Sequence, residues 1–164
     1  MAKWRGIAVH HSATADSGSA SWGAIRHNHV VVQGWKAIGY HFGIERIDDG
    51  AGRQHVERLV GRPYHQNGAH EPKLNRTHLG VCVVGNYDLA PPPPAVWAAT
   101  VDLVAWLAML NRLDVTKPGV IVGHREYAAK TCPGTKFDLH RFRYDVQARV
   151  GALSASPAAL GAFI

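Results

Sequence analysis

The chain has 164 residues, 46% hydrophobic and 18% charged, which is the size and balance of one globular domain that needs no disulfide staples. No stretch approaches the roughly 20 apolar residues of a membrane span, and Met1-Ala2-Lys3-Trp4-Arg5-Gly6 has no apolar run behind its charges. A transmembrane segment and a secretory signal are therefore not expected, so the protein is made in the cytoplasm and reaches the outside only if something else releases it.

In chain order, the apolar run 7–10 predicts a first strand that ends in the polar cluster His10-His11-Ser12-Ala13-Thr14. A helix over 22–32 has Ser21 as its N-cap and Gly34 beyond its end. A strand over 40–47 leads into Asp48-Asp49-Gly50, a hairpin-turn signal, with 54–59 as the return strand. The run 79–84, apolar except for Gly80, reads as a buried central strand. Pro91-Pro92-Pro93-Pro94 is stiff and excluded from helix, so it is expected to be a loop between strand and helix. The helix that follows, 96–113, spaces Val96, Thr100, Leu103, Val104, Leu107 and Leu110 by threes and fours. A β-branched strand covers 120–122 and a last helix 138–150. The small-residue-rich stretch 151–164 then reads as a loosely docked tail. Strands interspersed with helices imply a single-domain α/β fold, a mixed β-sheet covered by helices.

The charge is unusual. Lys and Arg number 18 against 12 Asp and Glu, and the net charge of +6 favours a polyanionic partner such as nucleic acid, a cell-wall polymer or a membrane surface. There are also 11 His, a reason to look for a metal or proton-transfer site, although most are expected at the surface. Candidate chemistry sits in the His10–Thr14 cluster, in Gly39-Tyr40-His41-Phe42 and in the loop 123–134. A catalytic zinc wants three protein ligands, and two His with one Cys satisfy it. His124 and Cys132 lie on one irregular loop that Pro133 and Gly134 can bend back. By spacing alone the pair is either two ligands or a surface His and a small buried Cys.

Val9-His10-His11-Ser12-Ala13-Thr14, Gly39-Tyr40-His41-Phe42, Leu79-Gly80-Val81-Cys82-Val83-Val84-Gly85 and the segment 124–134 occur in this order and spacing. Together they resemble the type 2 N-acetylmuramoyl-L-alanine amidases, the family of amidase-type phage lysozymes and peptidoglycan recognition proteins. The likeness runs from about residue 7 to residue 143. It implies a zinc amidase domain over 1–150, with 151–164 as tail, and a zinc at the edge of a mixed sheet. The family's ligand pattern falls on His10, His124 and Cys132, holding one Zn2+ per chain with water fourth. His11 would point to the opposite face of its strand and is left out. Cys82 is expected to be a reduced core residue, since a Cys82–Cys132 disulfide would remove the thiolate the metal needs.

The resemblance implies hydrolysis of the amide between the lactyl carboxyl of N-acetylmuramic acid and the L-Ala that begins the peptidoglycan stem peptide. No His-Glu-x-x-His segment supplies a base. In the phage branch a Tyr and a Lys take the supporting roles, and these map to Tyr40, which would orient or deprotonate the attacking water, and Lys130, which would stabilise the oxyanion. As plain structure, Tyr40 is a packed aromatic and Lys130 a solvated loop charge. The muropeptide-recycling branch carries a Glu where this chain has 80–84 and an Asp as third ligand, so this chain looks like the phage and recognition-protein branch. The segment 65–70 with Leu74-Asn75-Arg76 resembles the loop lining the substrate groove, with His65 and Asn75 as contacts. His27, His29, His55, His78 and His140 are read as solvated, while Arg125 and Glu126 flank a ligand and are candidates to support it.

The implied protein is a monomeric phage or prophage endolysin acting on peptidoglycan after holin-type release. A non-catalytic peptidoglycan-binding protein is the alternative, against which Cys132 speaks. A zinc-stabilised nucleic-acid binder would need a dense basic stripe or a Cys-x2-Cys pair. The chain has neither, so no nucleic-acid partner is expected.

Overall fold

The computed structural model describes residues 4–14, 21–48 and 50–155. Five strands form one sheet: β1 (Gly6–His11), β2 (Phe42–Asp48), β3 (Gln54–Val60), β4 (His78–Val83) and β5 (Ile121–Gly123), in the order β3-β2-β4-β1-β5. β1 pairs in parallel with β4 and β5, β2 in parallel with β4, and only β3 runs antiparallel. The sheet is mixed, as expected. In the turn signal after β2, Gly50 sits at φ +73° and its N–H donates to Asp48 Oδ1 at 3.0 Å. Asp49 lies outside the described residues.

Strand periodicity divides the sheet into two faces with different work. Ile7 and Val9 of β1, Leu79, Val81 and Val83 of β4, and Ile121 of β5 join the main core with α2 (Pro94–Leu110) and α3 (Leu139–Ala155). Because α2 packs on both the sheet and α3, Val101, Ala105 and Ala108 are covered as well as the predicted stripe from Val96 to Leu107, whereas Leu110, the last residue of that stripe, ends the helix exposed. Pro94 departs from the expected loop. It opens α2, where a missing N–H costs nothing and φ is already helical. α3 runs on to Ala155 with Leu153 fully buried, so 151–155, read as tail, continue the helix. Residues 156–164 lie outside the described ones.

The other face carries Ala8, His10, Gly80, Cys82, Val84 and Val122. Its cover is α1 (Trp22–His27), a π-helical turn over 28–32 and the loop between β3 and β4. Ser21 caps α1 by accepting from Ala24 N–H at 3.2 Å. No described helix is long and apolar enough to cross a membrane.

Candidate metal centre

Parallel strands deliver side chains to one edge of the sheet. β1 ends on His10 and His11, and β5 ends at Gly123, immediately before His124. Open α/β sheets place ligands in this crevice, at the carboxyl ends of strands. The chain then turns through His124–Glu126 and returns Cys132 to the same spot. Arg125 closes that loop. Its backbone N–H donates to Cys132 O at 2.6 Å, and its guanidinium donates to Gly134 O and Phe137 O. Asp88 ties down the far side, accepting from the Thr131 hydroxyl at 2.8 Å and Thr135 N–H at 2.7 Å. Arg125 thus supports the loop, and Glu126, exposed and paired with Arg143, also accepts from Gly123 N–H at 2.9 Å, which braces the turn that carries His124.

One potential ligand atom from each of His10, His124 and Cys132 lies within 4.8 Å of the others, and all three residues are buried. Cys132 Sγ is 3.7 Å from His10 Nδ1 and accepts from His11 N–H at 3.4 Å. His11 itself turns away, with Nδ1 accepting from Tyr87 N–H and Nε2 4.0 Å from Asp88, and it is outside the cluster. Burial, reinforced by His70 and His124, lowers the pKa of His10 well below the usual imidazole value, so it is neutral. Burial also pushes the Cys132 thiol up to about 11, against the pull of the His11 N–H and the Lys130 charge.

The Tyr40 ring lies 5.2 Å from that of His10. Burial raises its phenol well above the usual range, and it shares a hydrogen bond with Cys82. Cys82 is fully buried beneath the site, and both cysteines are free thiols. Lys130 is exposed on the loop two residues before Cys132, close enough for its charge to act on His10 and Cys132. Beside Tyr40 opens a cavity of about 390 Å³ lined by Ser12, Thr14, Ile25, Asn28 and His29.

His65 is exposed. Asn75 commits its side-chain oxygen to the backbone N–H groups of His70 and Glu71, at 2.7 and 3.0 Å. The expectation that most imidazoles are solvated fails, since only His27, His55, His65 and His140 are exposed. His78, read as solvated, is buried and joins β4 to the loop before β5 through Gly119 O at 2.9 Å. Two residues at the cluster escaped the sequence reading. His70 Nδ1 is 3.0 Å from His10 Nε2, and Glu71 Oε2 is 2.9 Å from His124 Nε2. Neither contact has a spacing signature, because 60 and 53 residues separate the partners.

The sequence profile of the family described as N-acetylmuramoyl-L-alanine amidase matches residues 1–135. The chain is 37% identical over 137 residues to the endolysin of Klebsiella phage KP32, covering 83% of each. It is 31% identical over 106 residues to peptidoglycan-recognition protein LB of Drosophila melanogaster, covering 65% of this chain and 41% of that one. In fold it is similar to the amidase LysC of Clostridium intestinale, with TM-score 0.71, 23% identity and coverage of 88% and 86%.

Proposed function

Because the chain belongs to the N-acetylmuramoyl-L-alanine amidase family, we propose that it is a zinc-dependent amidase that cuts peptidoglycan between N-acetylmuramic acid and L-Ala. The carrying observation is the convergence of His10, His124 and Cys132 from two distant segments. Two imidazoles and a thiol are a donor set suited to zinc, and three protein ligands leave one position open. The residues present fit the metal. Bound there, zinc would act as a Lewis acid that polarises the scissile carbonyl and acidifies water.

The chain's own groups do the rest. Cys132 gives up its proton to hold the metal, and the His11 N–H supports the thiolate. Tyr40, whose phenol keeps its proton at neutral pH, orients the attacking water; of its two candidate roles, orientation suits a neutral hydroxyl better than deprotonation. Lys130 brings positive charge to the developing oxyanion. The cavity beside Tyr40 takes the glycopeptide, and His65 is the exposed contact for stem peptide or sugar. Asn75 acts by shaping the loop. The endolysin relatives support a phage or prophage lysin, and the +6 charge favours an anionic wall. In this reading the protein works as a monomer and is released at lysis.

Recognition-protein relatives make binding without hydrolysis the second reading, and the complete ligand set favours hydrolysis over it. Metal analysis with a wall-clearing assay decides. Freshly purified protein should hold one zinc, and a chelator should stop clearing until zinc is restored. Cys132→Ala should lose both metal and activity. Absence of zinc, or zinc retained in Cys132→Ala, overturns the site; walls bound but never cleared by zinc-loaded protein return the binding reading.

A further inference from the structure

Two consecutive residues of the loop before β4, His70 and Glu71, each contact one of the two imidazoles of the cluster. Their hydrogen bonds can be followed outward from acceptors of fixed character. His70 Nε2 lies 3.2 Å from His78 O, and a carbonyl only accepts, so His70 carries its proton on Nε2. Its Nδ1 therefore accepts from His10 Nε2 at 3.0 Å. That leaves the His10 lone pair on Nδ1, the atom 3.7 Å from Cys132 Sγ.

His124 is set in the same sense by different chemistry. Glu71 is 6% exposed, and its Oε2 accepts from His124 Nε2 at 2.9 Å. This leaves Nδ1 of His124 as the lone-pair nitrogen. The carboxylate is itself held, because Oε1 accepts from Lys73 N–H at 3.1 Å. Asn75 Oδ1 fixes both backbone N–H groups of the pair. Gly80 leaves β4 flat where the His70 ring lies against it.

We infer that His70 and Glu71 are positioning residues that fix the tautomers of both histidine ligands, so that each presents Nδ1 to the metal. The inference rests on the reading of His10, His124 and Cys132 as a metal site. Partners of this kind orient a ligand and raise its basicity, and their loss typically costs about 10- to 100-fold in metal affinity. Glu71 also sets a buried carboxyl group directly against the outer nitrogen of the His124 imidazole.

Two measurements test it without relying on turnover. In metal-free protein, long-range 1H–15N spectra should show His10 and His124 each protonated on Nε2. A proton on Nδ1 of either overturns the inference whether or not any variant folds. Zinc affinity is then measured by competition with a chromophoric chelator, with the Co2+ absorption spectrum reporting ligand geometry. Glu71→Ala should bind zinc about 10- to 100-fold more weakly than the parent, and Glu71→Gln, which keeps an acceptor, should lose less. Glu71→Ala at parental affinity, with an unaltered Co2+ spectrum, refutes the role of Glu71. A parent protein that binds no zinc overturns the metal reading and this inference with it.

Discussion

Gly80→Ala should damage the protein through one ring. A Cβ at this position would stand 2.5 Å from Cδ2, 2.7 Å from Cγ and 2.9 Å from Nε2 of His70. Carbon atoms in contact prefer about 3.5–4.0 Å, so the imidazole would have to retreat by roughly 1 Å. It is poorly placed to do so. Nδ1 is bonded to His10 and Nε2 to His78 O, and Gly68 closes on the same ring atom from the loop side. Overpacking costs about 1–3 kcal/mol, and two lost hydrogen bonds about 0.5–1.5 kcal/mol each. The lower backbone entropy of Ala returns about 0.5–1 kcal/mol, leaving a net loss of roughly 1–5 kcal/mol. Urea unfolding of the metal-free protein measures it. The control is Gly151→Ala in α3, where an added Cβ meets nothing within 4 Å and should stabilise by about 0.5–1 kcal/mol. If Gly80→Ala unfolds within about 0.5 kcal/mol of the parent, the ring does not bear on β4 as described.

Other expectations follow from the same contacts. Burial holds His41 and His78 below the usual imidazole value and His70 down to about 3, whereas the unfolded chain takes up protons near about 6.5. Stability of the metal-free protein should therefore be fully present above about pH 6.5 and fall as the pH drops toward about 3, at up to about 1.4 kcal/mol per pH unit for each group; an unfolding midpoint that stays flat between pH 7.5 and 5 contradicts this. Tyr40→Phe and Lys130→Met should keep zinc and fold yet lose on the order of 10²-fold in wall hydrolysis, and near-parental rates would return either residue to a structural role. Cys82→Ala should cost about 1 kcal/mol or more in stability and keep hydrolysis within roughly tenfold, since it removes one hydrogen-bond partner of Tyr40; abolished hydrolysis with fold and zinc intact would place Cys82 in the catalytic machinery.

The strands were legible as apolar runs because β1, β4 and β5 are buried on both faces. For the same reason their alternation was hidden: nothing in the run of β1 says that Ile7 and Val9 meet α2 while Ala8 and His10 face the site. The ends of helices were the weaker part. Pro94 starts α2 instead of preceding it, and Leu153 extends α3 because it fills the core, a contact that local composition does not report. At the site, the spacing of His124 and Cys132 was ambiguous by itself, and only the ordered set of family motifs singled out the triad. His70, Glu71 and the buried His78 stayed hidden because each is defined by a partner 41 to 60 residues away.

End-group analysis of purified peptidoglycan digested by the zinc-loaded protein identifies the bond that is cut. New N-terminal L-Ala should appear in step with solubilisation, while reducing sugar ends stay constant. New reducing ends, or a newly exposed N-terminus on any residue other than L-Ala, would rule out cleavage between N-acetylmuramic acid and L-Ala.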